Sequence, residues 1–274
     1  MTPIKIDNSP RFVTKLCVPA SSEKMVKKAL GLTVDQIILD LEDSVLDSDK
    51  AVARKNIAEI TDVKSKSVAV RVNATDTPHF EADLTFLQSH SDLYDHIILP
   101  KVDSLEMLDH YLTLLPANKS LEIQIETASA LLNVVHIAQS PRIQALSFGP
   151  LDFLASVGVP VVSSNLWGAE IHELLRYALM QIIIAGHANH KYVYDGPTVI
   201  LDDEALRVSA TTARNLGADG KWLIHPNQID TCTEIFNEEF SNDLNLAEMR
   251  SGSERIAGQM VDMASLRIAK NKEN

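Results

Sequence analysis

The 274-residue chain has only two cysteines, Cys17 and Cys232, far apart in the sequence. That excludes a disulfide-stapled secreted scaffold and favours a reducing compartment. Basic charge is scarce too: 25 Lys and Arg face 37 Asp and Glu, for a formal charge of -12. So acidic a chain repels phosphate backbones, and no nucleic-acid partner is expected. No apolar run approaches the roughly 20 residues of a membrane span. The greasiest stretch, Ala178 to Gly186, is short and broken by Gln181, so no membrane partner is expected either. The opening MTPIKIDNSP has neither the apolar core of a signal peptide nor an Arg-rich transit pattern; the expected location is cytoplasmic. No glycine-rich phosphate loop follows the first apolar run, which counts against a dinucleotide-binding doubly wound sheet without excluding that fold. No His/Cys cluster has metal-ligand spacing, which counts against a structural zinc.

What the chain does have is enough apolar residue, 45%, for a sizeable core, and a recurring pattern. Short runs rich in Val, Ile and Leu alternate with helical periodicity: Lys15–Ala20, Gln36–Asp43, Ser67–Asn73, His96–Val102, Leu121–Thr127, Ile143–Pro150, Lys191–Pro197 and Asp219–Pro226. Most starts lie roughly 20 to 30 residues apart, the spacing of a βα unit. The gap after the sixth run is near 48 residues and holds a helical stretch from Leu166 to His187. Eight alternations predict an α/β fold, a (β/α)8 TIM barrel with an insertion, with a doubly wound sheet as the alternative.

The carboxyl ends of these runs carry charge: Glu42 and Asp43, Arg71 and Asn73, Lys101, Glu126, Asp152, Asp195, His225. In a barrel all those ends meet at one face, where active sites sit. Glu126 closes one run and Asp152 follows the next, so neighbouring strands can present two carboxylates to one cation. Mg²⁺ suits such a pair, because it keeps several water or substrate oxygens. The plainer reading, a salt bridge from Glu126 to Arg71 or Lys101, stays open. Arg71 offers a planar fork for a carboxylate or an enolate oxygen, or else serves as counter-ion to Glu42 or Asp43. Lys101 is a Schiff-base candidate, but the surrounding carboxylates are expected to keep it protonated, favouring a structural role.

Taken together, LDLEDSV, VRVNATDTPHFEADL, ILPKVDS, IETASALLN, ALSFGPLDFLASVG, YDGPTVILDD, LGADGKWLIHPNQI and GQMVDM resemble, in order, the HpcH/HpaI aldolase/lyase superfamily. The resemblance is to its citrate lyase β-subunit-like and malyl/citramalyl-CoA lyase branch. It implies a Mg²⁺-dependent enzyme, with Mn²⁺ as a substitute, that makes or breaks a carbon–carbon bond in a CoA ester, yielding an acyl-CoA and a keto acid. By this resemblance Glu126 and Asp152 are the metal ligands and Arg71 grips the keto acid. Glu42 and Asp43 order metal-bound water, and the backbone N–H groups around Gly149 and Leu151 cradle the substrate carboxylate. Asp262, 12 residues from the end of the chain, matches an aspartate that a carboxyl-terminal lid carries into a neighbouring subunit. That implies a homo-oligomer, a trimer or a multiple of it. Asp43 stands where the pyruvate-aldolase branch carries histidine, which favours the CoA-ester branch.

Two domains are expected, a catalytic barrel over 1–236 and a lid over 237–274, with no strand apparent between Asn237 and the GQMVDM motif. The sequence departs from the family in Ala20, where a glycine is usual, so the loop after the first strand is expected to be narrower or stiffer. The basic residues that meet CoA phosphates have no clear signature; Lys15, Arg11 and Lys50 are the candidates. Besides a lyase, a thioesterase on the same substrates and a citrate-lyase-type β subunit acting on a carrier-bound thioester remain open.

Overall fold

A computed structural model of the chain describes residues 10–61, 63, 66–159, 169–238, 253–256 and 259–264. The eight apolar runs are strands: β1 (Thr14–Pro19), β2 (Gln36–Asp40), β3 (Ser67–Arg71), β4 (His96–Leu99), β5 (Ser120–Ile125), β6 (Ile143–Phe148), β7 (Tyr192–Asp195) and β8 (Gly220–Leu223). They pair in chain order, all parallel, and β8 returns to β1, so the sheet closes into a barrel and the doubly wound alternative is excluded.

Between the strands run α1 (Glu23–Leu30), α2 (Lys50–Ala58), α3 (Phe80–Ser89), α4 (Leu105–Leu112), α5 (Ala128–Ala138), α6 (Pro150–Ser156), α7 (Ala169–Ala188) and α8 (Asp203–Leu216), with α9 (Ile229–Asn237) after β8. The long helix expected from Leu166 is α7; residues 166–168 lie outside the described residues. Among the described residues, α1, α4, α5 and α8 begin with a side-chain cap: Ser22, Ser104, Thr127 and Asp202 each accept a backbone N–H of the first turn. Thr127 matters most for the site, because it starts α5 one residue after Glu126 and leaves that side chain almost no loop to move in.

Strand alternation divides the core in two. Residues such as Ile37, Leu39, Val68, Val70, Ile123, Leu146 and Val193 face the helices in one large cluster. The other faces meet inside the barrel, where Ile38, Ala69, Ile98, Ala145, Tyr194 and Trp222 form a second cluster. At that inner level Lys15 pairs with Glu122, whose other oxygen accepts from Trp222 Nε1 at 3.1 Å.

Among the described residues, a barrel unit runs to Phe236 and a second compact unit takes up the chain from Asn237. The second contains an antiparallel hairpin, β9 (Ser253–Ile256) with β10 (Gln259–Asp262), in which Asp262 lies opposite Ser253. The expectation of no strand before GQMVDM is therefore corrected. SERI carries two charges in its middle, so hydropathy does not mark it, whereas hairpin pairing satisfies its backbone groups. Among the described residues no helix is long and apolar enough to cross a membrane.

Candidate active site

Register brings the first two partners together. Asp40, the last residue of β2, pairs across the sheet with Arg71, the last of β3, and both point inward. Asp40 is fully buried and accepts the Arg71 fork at both oxygens, Nε to Oδ1 at 2.6 Å and Nη2 to Oδ2 at 2.7 Å. Burial works against the Asp40 carboxylate, but Arg71 outweighs it and holds the carboxyl below its usual range. Asp40 also accepts the backbone N–H of Glu42 and Ser44, which folds the LEDS segment back over the barrel mouth. Lys50 closes that turn from outside: its buried ammonium donates to the carbonyls of Leu41 and Glu42, both at 2.8 Å.

The result is a gathering of carboxylates around one ammonium. Lys101 Nζ is 2.6 Å from Glu42 Oε1, 3.7 Å from Asp43 Oδ2, 3.8 Å from Asp152 Oδ1 and 4.0 Å from Glu126 Oε1. Arg71 Nη1 reaches Glu42 Oε2 at 3.0 Å and Gln124 Oε1 at 3.4 Å. Five carboxylates (Asp40, Glu42, Asp43, Glu126, Asp152) thus face two cations (Arg71, Lys101), a formal excess of three negative charges.

Protonation equilibria register that excess. Burial, reinforced by the Glu42 and Asp152 charges, pushes the Glu126 carboxyl well above the ordinary glutamate range. Burial also raises Glu42, with Asp43 adding to it against Arg71 and Lys101. Burial alone would lower Lys101, but Glu42 and Glu126 hold it above an ordinary lysine, so the free amine a Schiff base needs is disfavoured. Burial and Asp40 push the Cys17 thiol up to about 12, which removes a cysteine nucleophile.

Glu126 is the hinge of the arrangement. It is completely buried, its Oε1 accepts the Lys101 backbone N–H at 2.9 Å, and its Oε2 has no hydrogen-bond partner among the described residues. An unpartnered buried carboxylate oxygen is costly unless a cation completes it. Gly149 makes room for it: a Cβ there would stand 2.4 Å from Glu126 Oε2 and 2.5 Å from Glu126 Cβ. Among the described residues no three of His, Cys, Asp or Glu are arranged to hold a metal by themselves. A cation held by Glu126 and Asp152 would have two protein carboxylates and leave its other positions to water and substrate, a donor set that fits Mg²⁺.

Several sequence expectations need correction. Arg71 has Asp40 as its main ion partner, together with Glu42, and Asp43 is not among its pairs. Gly149 N–H donates to Ile125 O at 3.0 Å, so it is engaged in the sheet; the Leu151 N–H, in the first turn of α6, lacks an intrahelical partner. None of the three candidate phosphate contacts is suitably placed. Lys15 is buried with Glu122, Lys50 is buried under the acidic turn, and Arg11 donates to Asp219 O at the amino-terminal end of β8. Asn73, Asp195 and His225 sit in separate local contacts: Asn73 with Asp83, Asp195 with Lys221, and His225 as a turn cap. Ala20 is buried, and its carbonyl is tied to Asn56 Nδ2 at 2.9 Å. Asp40 and Gln124 were missed, although strand parity with Arg71 marks Asp40 as inward.

Asp262 is exposed on β10 and its Oδ1 accepts the Ala264 N–H at 2.8 Å. A cavity of about 440 Å³ between α7 and α8, lined by Leu179, Pro197, Val208 and Leu216, contains none of the clustered carboxylates. Charge rather than volume marks the candidate site.

A (β/α)8 barrel with a buried carboxylate cluster at its carboxyl-end mouth has the architecture of the barrel enzymes that work at that face. More particularly, the chain belongs to the HpcH/HpaI aldolase/citrate lyase family, whose model matches residues 14–226. It is 34% identical to an L-malyl-CoA/beta-methylmalyl-CoA lyase of Rhodobacter capsulatus, over 92% of this chain and 89% of that one. It is 32% identical to a (3S)-malyl-CoA thioesterase of Cereibacter sphaeroides, over 82% and 77%. In structure it is similar to the CitE protein of Mycobacterium tuberculosis in complex with magnesium, acetoacetate and coenzyme A, with a TM-score of 0.81 and 25% identity over 96% and 97% of the two chains.

Proposed function

We propose that this protein is a Mg²⁺-dependent carbon–carbon lyase acting on a short β-hydroxyacyl-CoA such as malyl-, citramalyl- or citryl-CoA. The observation that carries the reading is the unpartnered, fully buried Glu126 Oε2 in a cluster with more carboxylates than cations. Family membership, the malyl-CoA lyase relative and the CitE complex with magnesium and coenzyme A support it. Glu126 and Asp152 hold the metal in this reading, and Mn²⁺ substitutes for Mg²⁺. Bound there, the ion would supply Lewis acidity to the substrate.

The chain's own groups do the rest. Cleavage passes the proton of the β-hydroxyl to water beside Glu42 and Asp43, breaks the carbon–carbon bond to leave a keto acid, and sends the electron pair into the thioester as an enolate. Arg71, held rigid by Asp40, balances the charge that moves to the thioester oxygen. Glu42 and Asp43 order water beside the site, and the Leu151 N–H meets the substrate carboxylate; Gly149 contributes space rather than a donor. Asp262 exchanges the proton at the acyl carbon. Its place on a hairpin outside the barrel unit, with the family resemblance, supports reading 237–274 as a lid that serves a neighbouring copy in a homo-oligomer, most simply a trimer.

The thioesterase relative favours a second reading, in which water attacks the same thioester. Incubating the purified protein with Mg²⁺ and a panel of acyl-CoAs separates the two. Release of keto acid with the shortened acyl-CoA identifies a lyase; free CoA with the intact hydroxy acid identifies a thioesterase. Turnover of a carrier-bound thioester alone identifies a citrate-lyase-type subunit.

A further inference from the structure

Lys101 has a feature that neither a structural salt bridge nor a Schiff-base lysine requires. Its backbone is in the left-handed region, φ 53°, which a non-glycine residue occupies at a cost and which persists only where surrounding contacts impose it. Two contacts do so here. The backbone N–H is directed at Glu126 Oε1 at 2.9 Å, and the side chain turns back into the cluster to reach Glu42 Oε1 at 2.6 Å. One residue therefore orients a candidate metal ligand with its backbone and places a positive charge among four carboxylates with its side chain.

We propose that Lys101 is a tethered occupant of the metal position, its ammonium standing in for the divalent cation and withdrawing toward Glu42 and Asp43 when the metal binds. This rests on the reading of Glu126 and Asp152 as metal ligands. The distances divide the four contacts into one to keep and others to give up. The 2.6 Å bond to Glu42 is a full charge-assisted hydrogen bond, whereas Asp152 at 3.8 Å and Glu126 at 4.0 Å are held by charge alone. A dication bound between those two carboxylates repels an ammonium this close, and its doubled charge wins the carboxylates. A route out exists, because the Lys101 side chain is 33% exposed while Glu126 is closed to solvent. Lys50 has no such freedom, since its ammonium is buried against two carbonyls. In the metal-free protein the tethered charge keeps mutually repelling carboxylates together, so the site is assembled before the ion arrives. The consequence is that Lys101 sets metal affinity by competition.

The test is Mn²⁺ binding to the 274-residue chain, followed by electron paramagnetic resonance of free and bound ion and by thermal unfolding with and without metal. Lys101→Met, which keeps an unbranched side chain one atom shorter and without the charge, should bind Mn²⁺ at least about tenfold more tightly than wild type. It should also gain more thermal stability from metal. Lys101→Arg, which retains the charge, should bind no more tightly than wild type. Unchanged or weaker Mn²⁺ binding by folded Lys101→Met overturns the proposal; folding of that variant only in the presence of metal supports it. Glu126→Gln isolates the underlying reading: if it binds Mn²⁺ as wild type does, the ligand assignment itself fails. A crystal structure of the wild-type protein with Mg²⁺ gives an answer independent of any variant. Lys101 Nζ should have left Asp152 and Glu126, and persistence of the 3.8 and 4.0 Å contacts beside a bound ion overturns the proposal.

Discussion

Gly149→Ala is a one-methyl test of the whole site. The glycine φ of -104° is open to alanine, so the substitution is a question of space rather than backbone strain. The added Cβ would lie 2.4 Å from Glu126 Oε2, 2.5 Å from Glu126 Cβ and 2.9 Å from Gln124 Nε2. Ordinary contact between such atoms is about 3.5–4.0 Å, so the shortfall against Glu126 is about 1 Å or more. Glu126 Cβ cannot rotate away, because it is fixed to a backbone pinned between β5 and the Thr127 cap of α5. Either the ends of β5 and β6 spread, or the Glu126 segment moves. Overpacking of this kind costs about 1–3 kcal/mol, which lowers the melting temperature by about 2–12 °C in a chain of this size. A carboxylate displaced by about 1 Å costs on the order of 100-fold in turnover. Calorimetry, Mn²⁺ titration and keto-acid release measure the three effects. Gly158→Ala is the control: its φ of +73° strains an alanine, but no atom of the described residues lies within 4 Å, so stability should fall without loss of metal binding or turnover. Wild-type turnover and Mn²⁺ affinity in Gly149→Ala would refute the packing reasoning and with it the placement of Glu126.

Arg71→Lys removes the fork that Asp40 accepts at both oxygens. It should cost about 1–3 kcal/mol in chemical denaturation and about two decades in kcat/KM; near-wild-type values of both would make Arg71 dispensable. His96, at the start of β4, is pushed down to about 4 by burial and by the Lys15 ammonium. It is neutral when folded but protonates near 6.5 when unfolded, so its contribution is complete above that pH and is lost as pH falls from 6.5 toward about 4. The loss is at most about 3 kcal/mol. His96→Gln should flatten that part of the stability profile in denaturant titrations, and an unchanged slope would show that another group controls it. Mixing inactive Asp262→Asn with inactive Glu126→Gln should restore activity once subunits exchange, because some hybrid sites then carry no lesion. No recovery despite demonstrated exchange would reject a shared site.

The barrel was legible in the sequence because a strand buried on its helix-facing side must be apolar there whatever its neighbours are. Runs such as QIIL and HIIL therefore stand out without knowledge of their partners. Glu126 and Asp152 were legible for a related reason, since charge directly after a buried strand lies at the barrel mouth. Pairwise contacts were not legible. That Arg71 grips Asp40, that Lys15 is closed inside the barrel against Glu122, and that Gly149 exists to leave room for Glu126 all depend on register and distance across strands remote in sequence. The strand Ser253–Ile256 was invisible because its stability comes from hairpin pairing rather than from an apolar face. Lys101 shows the division within a single residue. Its position after a strand places it at the barrel mouth, and local sequence says no more. Only the closed barrel, by drawing four carboxylates from three separate segments to within 4.0 Å of its ammonium, decides that it is the positive centre of an acidic site. The physical reason is range: side-chain patterning acts within a turn or a strand, whereas Coulomb attraction and packing act between whichever segments the fold brings together.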